Sequence, residues 1–195
     1  MIPFMFDDDR RQKLLNAINF FVRETAHCHT LKLFKLLNFM DFEHFRETGF
    51  SVTGLTYNAW PQGPAPAELW RELRNPAADL RKTVSIVPVK DDLTNALLRR
   101  DLKPFADFDA SYFSRREIRI MQMLAEIFRD AEGGDMSAFS HSKNLPWHQI
   151  YRKGAGKGQV IPYELTRTSE PVLQKIETLP ESEYRYRKAA FSAAE

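Results

Sequence analysis

The stretch of residues 31–73 most constrains how this 195-residue chain can fold. It holds a very apolar helical segment, a short extended segment and a second helix bounded by proline and glycine, with few positions of solvent-exposed type. Its many apolar side chains are stabilised by leaving water, so the stretch is expected to form the centre of a core. The rest of the chain should pack around it.

A first long helix is predicted over residues 10–25. Leu14, Ile18 and Phe21 recur at helical spacing and share one face. The acids at Asp7 to Asp9 precede it and favour a helix start, because carboxylates interact well with the free N–H groups of a first turn.

The second helix is predicted over residues 31–47, with Thr30 as its N-cap and Gly49 as its stop. Its charged side chains fall on one stripe at about 100° per residue, and we expect that stripe to face water. The stripe consists of Lys32, Lys35, Glu43 and Arg46.

Three polar residues of this helix, Asn38, Asp41 and His44, fall off the charged stripe and among apolar side chains. Each needs a partner if it is buried, because an unpaired polar group costs about 1 to 3 kcal/mol. Two interpretations stay open: a satisfied structural network, or a patch that faces a binding partner.

Residues 51–60 are rich in Val, Thr and Tyr and predict a short strand or hairpin. Four prolines and glycines at 61–66 predict a rigid turn, and Pro66 suits the first turn of a third helix over residues 66–74. Leu69, Trp70 and Leu73 give this helix an inward face.

The elements after residue 76 are predicted from less regular hydrophobic patterns. A second strand is expected at 84–89, a helical turn or two at 93–100, and a loop at 104–109. Ser114 and Glu117 form a capping-box pattern ahead of a long helix that ends near residues 133–134. Short helices follow at 135–141 and from 144 with Pro146 in its first turn, then a loop at 154–158, an extended piece at 160–165 and a helix at 169–177.

These elements predict a mainly α fold of the α+β class, with a small β-hairpin or short strands between helices two and three. We expect one domain over residues 1–179 and a charged C-terminal tail over 180–195. Apolar residues make up 43% and charged residues 28%, which is typical of a globular protein. No apolar run reaches the roughly 18 residues of a membrane-spanning helix, so we expect a cytoplasmic protein without a membrane partner.

The sequence offers little support for metal or cofactor chemistry. His27, Cys28 and His29 are adjacent, and neighbouring residues rarely chelate one ion in comfortable geometry. The glycine loop around Lys157 lacks the spacing of a phosphate-binding loop and has Gly158 where a magnesium-binding hydroxyl would stand. We therefore expect neither cofactor nor metal.

Residues 118–150 have the rough order of a helix-turn-helix, with basic residues nearby. Packed antiparallel helices have the same order. Binding of DNA as a transcriptional autoregulator remains the alternative function, and a promoter affinity that falls steeply with salt would support it. A third hypothesis is a hydrolase that uses Asp41 and His44.

The residues at the centre of the chain resemble those of the Panacea domain, the SocA-like antitoxin family of bacteria and phages. The resemblance covers a lysine-containing leucine helix that ends in Asp41, a Thr-Gly pair, an aromatic residue near an Ala-Trp pair, and a Gly-Pro pair that opens a helix. These are KLFKLLNFMD at 32–41, then Gly49, Thr53, Gly54, Tyr57, Ala59, Trp60, Gly63, Pro64 and residues 66–69. Asn38 and Gln62 depart from the family, which often has aromatic residues there.

The resemblance implies a non-enzymatic antitoxin that neutralises a cognate toxin by direct binding. One branch of the family delivers its toxin to the ClpXP protease, and the residues leave masking and delivery both open. We expect the toxin to contact an aromatic and charged surface near residues 57–70, where rigid Pro and Gly lower the ordering cost of binding. The predicted partner-binding residues are Tyr57, Trp60, Gln62, Glu68, Trp70, Asp41 and His44. Trp60, Gly63, Pro64 and Trp70 could equally serve to lock the hairpin onto the helices.

Overall fold

The computed structural model describes residues 4–169 and residue 171, and all structural statements concern these residues. Two long helices come first, α1 (Phe4–Glu24) and α2 (Thr30–Thr48). Both predicted helices are confirmed. α1 begins earlier than expected, so residues 7–9 lie inside it rather than before it. Thr30 is also inside α2 and is not its N-cap, which is His29.

Gly49 ends α2 as predicted. It adopts the left-handed conformation at φ 79°, and its N–H donates to the Phe45 carbonyl over 2.8 Å. A left-handed residue at this position satisfies a free carbonyl at the end of a helix, and glycine adopts it without a Cβ clash.

A two-stranded antiparallel hairpin follows, made of β1 (Tyr57–Trp60) and β2 (Gly63–Pro66). Pro61 and Gln62 form its turn, because Trp60 pairs with Gly63. Helix α3 (Ala67–Glu72) comes next and buries Leu69 and Leu73, as expected. The prediction of a hairpin between helices two and three is confirmed.

Helix α4 (Ala78–Thr83), which the sequence did not predict, leads into a second antiparallel hairpin of β3 (Val84–Lys90) and β4 (Leu97–Pro104). The prediction of a strand at 84–89 is confirmed. The helical turn predicted at 93–100 is wrong, because most of that segment pairs with β3 or forms the turn. The Leu102 N–H donates to the Cys28 carbonyl over 2.9 Å, which fixes this hairpin to the joint between α1 and α2.

Helix α5 (Arg115–Ile127) has the complete capping box of Ser114 and Glu117, as predicted, but ends earlier than residues 133–134. Helices α6 (Gly133–Ser140) and α7 (Pro146–Tyr151) match the two predicted short helices. Residues 163–167 form a 3-10 helix, so the extended piece predicted at 160–165 is wrong there. The predicted helix at 169–177 and the tail at 180–195 lie almost wholly outside the described residues.

α2 lies at the centre of the fold. It packs against α1, α5, α6, β2, β4 and the 3-10 helix at 163–167, and its residues 32–44 are all buried. Aromatic rings also pack in this core. The Phe39 ring stacks on the Phe128 ring, with centroids 5.5 Å apart, and meets the Phe139 ring edge-on. The architecture is mainly helical with two small antiparallel hairpins, as the sequence predicted. None of the described helices has the length and apolar character needed to cross a bilayer.

Candidate partner-binding site

Asp41 forms the centre of a buried polar network that joins α2 to the segment before β1. Its Oδ1 accepts hydrogen bonds from the Val52 N–H at 2.9 Å and the Thr53 N–H at 2.8 Å. Its Oδ2 accepts from the Thr53 hydroxyl at 2.5 Å and the Tyr57 hydroxyl at 2.7 Å. Four donors therefore occupy both oxygens of a carboxylate that has no exposed surface.

This environment shifts the acid–base behaviour of the network. Burial raises the pKa of Asp41, while the hydrogen bonds from Thr53, Tyr57 and Val52 oppose that rise by favouring the charged form. The pKa of Tyr57 lies well above its usual range, because the phenol is buried and faces Asp41. At neutral pH the phenol therefore keeps its proton and serves as a donor.

His44 and Asn38 are also buried. Nδ1 of His44 lies 2.7 Å from the Phe50 carbonyl oxygen, which is within hydrogen-bond distance. Asp41 and His44 thus have separate partners. The geometry fits the structural interpretation of this pair, and their role in partner binding stays a prediction.

The prediction that the charged stripe of α2 faces water is wrong. Lys32, Lys35 and Glu43 are buried, and Arg46 is half-buried. The Lys32 ammonium donates to the Ala26 carbonyl at 2.7 Å and to the Arg129 carbonyl at 2.9 Å, near the ends of α1 and α5. Segments distant in sequence cover the stripe, and a helical pattern read from one segment cannot reveal them.

The surface predicted to bind the partner is centred on the β1–β2 turn and α3. Trp60 and Trp70 are half-buried and meet edge-to-face, with ring centroids 5.5 Å apart. The guanidinium of Arg74 lies 4.6 Å from the centroid of the Trp70 ring. Gln62 at the turn and Glu68 on α3 are exposed. We call the four residues Trp60, Gln62, Glu68 and Trp70 the turn surface.

The predicted partner-binding residues therefore divide into two groups. Members of the turn surface reach solvent wholly or in part, whereas Tyr57, Asp41 and His44 are buried. In this conformation the second group offers almost no surface to a partner, and its role in binding stays a prediction.

The chain matches the family model described as "Antitoxin SocA-like, Panacea domain" over residues 33–148. This chain belongs to that family. The match extends from α2 into α7 and so includes both hairpins and the whole turn surface. No curated protein and no solved structure matches the chain.

Helix α7, from a distant part of the chain, also contacts the β1–β2 hairpin. Trp147 of α7 is buried, and its indole N–H donates to the Trp60 carbonyl at 2.9 Å. The Trp147 ring stacks between His141 at 3.8 Å and Tyr151 at 4.4 Å. The hydrogen bond attaches the hairpin to α7, and the stack holds the Trp147 ring in place.

Replacing Trp147 with phenylalanine tests this attachment. The ring area is largely kept, but the Trp60 carbonyl loses its donor, so we expect a loss of about 1 to 2 kcal/mol in the free energy of unfolding. Chemical denaturation measures the loss. Trp70→Phe is the matched control. The Trp70 ring is held by an edge-to-face contact with Trp60 and by the guanidinium of Arg74 over its face, and phenylalanine can keep both ring contacts. An equal effect of both substitutions would contradict the role of the indole N–H.

Sequence reasoning missed one polar cluster in this Panacea domain. Lys35, Ser140 and His141 lie together beneath the β1–β2 turn, although they are far apart along the chain. The available signal was a lysine within an unusually apolar helix, which was assigned to the exposed stripe. The position of Gly63 opposite it could not be inferred from spacing.

The His27, Cys28 and His29 segment shows no sign of metal chemistry. Cys28 is buried, and burial raises the pKa of its thiol to about 11, so the thiol keeps its proton at neutral pH. Within residues 4–169 and 171, no group of three or more His, Cys, Asp or Glu side chains could hold a metal ion.

Proposed function

We propose that this protein is the antitoxin of a toxin–antitoxin pair and neutralises its toxin by direct protein binding. The observation that carries the proposal is the match to the SocA-like antitoxin model over residues 33–148. Expressing the product of the neighbouring reading frame, with and without this protein, tests it. A toxic neighbour that this protein fails to relieve would exclude the proposed pairing.

We place the toxin contact on the turn surface. Its two tryptophan rings are already held by each other and by Arg74, and the Trp147 hydrogen bond holds the Trp60 backbone, so little freedom is lost on binding. Tryptophan is also a residue type that anchors many interfaces. Gln62 and Glu68 supply exposed polar groups at the rim.

The double variant Gln62→Arg with Glu68→Arg should weaken toxin binding by about tenfold or more, because two new cations at the rim disturb charge complementarity. Both residues are exposed, so the fold should be unaffected. Titration calorimetry against the purified toxin and growth rescue measure the effect.

Glu126→Arg provides the matched control for that variant, since Glu126 is an exposed acid on α5. Its rescue should equal that of the wild type. Unchanged affinity in the double variant, with full rescue, would place the toxin contact elsewhere.

Masking and delivery to ClpXP are two forms of the same proposal. Rescue in a host that lacks ClpX distinguishes them. Masking predicts undiminished rescue at equal protein levels, whereas delivery predicts that rescue is lost and that the toxin is no longer degraded.

We also propose that the protein acts without catalysis. The hydrolase hypothesis needs Asp41 and His44 to share a site, but the Asp41 oxygens are occupied by Val52, Thr53 and Tyr57. His44 instead adjoins the Phe50 carbonyl. This arrangement supports a structural role for both residues.

Binding of DNA through residues 118–150 is favoured by no specific contact. Two arginines near the start of that segment, Arg116 and Arg119, form ion pairs with Glu47 at 3.1 Å and 2.8 Å. Their charges are therefore partly neutralised rather than presented to phosphate. Most of the apolar face of α5 is used for the core, where Ile120, Met121 and Leu124 are buried.

A further inference from the structure

Strand β3 has one edge that no other strand covers among the described residues. β4 pairs with β3 along one side and, along its other side, forms a bridge from Asp101 to His29 at the joint between α1 and α2. β3 itself packs mainly on β4 and on α4, which precedes it in the chain. The side of β3 that faces away from β4 is therefore an open sheet edge in the part of the chain that the structure describes.

One hydrogen bond fixes which backbone groups of β3 point to this edge. Leu102 of β4 pairs with Ile86 of β3, but its N–H donates to the Cys28 carbonyl on the opposite side. Antiparallel pairs alternate between residues that bond each other and residues whose N–H and C=O both point outward. Ile86 therefore points both groups to the open edge. Pro88, two residues further on, points only a carbonyl there, because proline has no N–H.

The open edge suits a strand of a different sequence better than a second copy of β3. Val84 also points its N–H outward, but that N–H donates to the Leu80 carbonyl of α4. Two copies pairing about Ile86 would exchange only the two bonds of that residue, because Val84 and Pro88 would face each other without an available N–H. A strand from another protein can in addition donate to the Pro88 carbonyl. Prolines at sheet edges commonly limit self-pairing in this way.

Side chains along this edge are apolar in the middle and cationic at both ends. Ile86 and Val87 are half-buried, so part of each reaches solvent. Arg81 and Lys82 at the end of α4 and Lys90 at the end of β3 are exposed. None of these three cations forms an ion pair within the described residues. A segment with an apolar centre and acidic ends is complementary to this pattern.

Nearby acidic side chains leave these cations largely uncompensated. Residues 81–90 contain no acid. Asp79 and Asp101 are each paired with an arginine, and Asp91 accepts hydrogen bonds from backbone N–H groups within the hairpin turn. Asp92 is the exposed acid that remains in that turn. The open edge is therefore electropositive at both ends.

We propose that the toxin adds an extended segment to the open edge of β3, with an apolar centre opposite Ile86 and acidic residues at its two ends. The Ile86 N–H and C=O bond the added strand, and the Pro88 carbonyl accepts one further bond. Main-chain pairing of this kind supplies affinity, while the flanking side chains supply specificity. The contact rests on the proposed function, because it names a second contact for the same toxin that uses no residue of the turn surface.

Amide hydrogen exchange at Ile86 tests the added strand directly. In the protein alone this N–H has no acceptor and should exchange fast, whereas the Val87 N–H bonds to Asp101 in the ladder and should exchange slowly. Binding of the purified toxin to the full-length ¹⁵N-labelled protein should slow exchange at Ile86 by about tenfold or more. NMR resolves the two amides, and Val87 serves as the internal reference.

The possible results separate this contact from the antitoxin role. Toxin binding with unchanged exchange at Ile86 would overturn the added strand and leave the proposed function intact. A neighbouring gene product that does not bind the protein at all would exclude both. Slow exchange at Ile86 in the protein alone would also overturn the proposal. At every protein concentration it would mean that this chain covers its own edge, and only at high concentration that a second copy does.

Charge reversal gives a second readout. The double variant Lys82→Glu with Lys90→Glu should weaken toxin binding by about tenfold, because like charges then meet at the acidic ends of the segment. Both lysines are exposed, so the fold should be unaffected. Lys143→Glu with Lys157→Glu is the matched control, since both are exposed outside the β3–β4 hairpin, and its affinity should equal that of the wild type. An equal loss in both double variants would mean a general effect of net charge and would overturn the acidic segment.

Discussion

Replacing Asp41 with alanine is expected to lower the free energy of unfolding by about 3 to 5 kcal/mol, because several buried donors lose their hydrogen-bond acceptor at once. Two backbone N–H groups and the hydroxyls of Thr53 and Tyr57 then lose their acceptor in a region that water does not reach. Urea denaturation of the purified variant measures the loss.

Glu68→Ala is the matched control, since it removes an acid that is exposed on α3. Its cost should stay within about 0.5 kcal/mol, the usual range for a surface substitution. If Asp41→Ala costs no more than Glu68→Ala, the network does not stabilise the fold. Separate measurement of toxin binding by the folded fraction of Asp41→Ala would then show whether the residue acts in recognition.

Replacing Lys35 with methionine is expected to raise the free energy of unfolding at neutral pH, the opposite of the effect of Asp41→Ala. Burial lowers the pKa of Lys35 from 10.5 to about 8, so folding disfavours the ammonium form. A shift of this size corresponds to about 3 kcal/mol, and methionine has a similar length without the charge. The measurement is chemical denaturation of the purified variant beside the wild type.

The pH dependence of stability separates charge from packing in this variant. Between about pH 8 and 10.5 the unfolded chain binds a proton at Lys35 that the folded protein has released, so wild-type stability should rise with pH across this window. Lys35→Met should lack that part of the rise, and Lys82→Met, with its exposed lysine, should keep it. A methionine variant that is less stable than the wild type throughout would mean that Lys35 has a compensating partner in solution.

Local patterns predicted the elements whose stabilisation is local. The helical spacing of Leu14, Ile18 and Phe21 located α1, and Ser114 with Glu117 located the start of α5. The end of α2 was predicted correctly because the left-handed conformation there favours glycine, and Gly49 is the residue at that position. Each of these signals acts within a few residues of the chain, so one segment is enough to recognise it.

Elements that depend on distant pairing were predicted poorly. Residues 93–100 were expected to form a helical turn, whereas most of β4 is specified by its pairing with β3 and by the bond from Leu102 to Cys28. Strand propensity is strongly context-dependent, because it reflects packing against neighbours that the segment itself does not contain. The early end of α5 is a milder case of the same kind.

The candidate site likewise contains residues that the sequence predicted and residues that only the structure revealed. The sequence identified the residues of the turn surface through the family pattern, and the match over residues 33–148 confirmed the family. It left open whether Asp41 supports the fold or meets a partner, and the four hydrogen bonds to its carboxylate show how it is held. The cluster at Lys35 was missed because Ser140 and His141 lie about a hundred residues further along the chain.

The sequence by itself determined that residues 31–73 form the centre of the fold, since so apolar a helix is stabilised by burial. It also determined that Lys32, Lys35, Glu43 and Arg46 share one stripe of that helix. Only the tertiary structure decided that the stripe is largely buried. Helical spacing specifies which residues share a face, but the environment of that face depends on segments that pack there from elsewhere. Here those segments supply carbonyls to Lys32 and bring the Gly63 backbone and Ser140 close to Lys35.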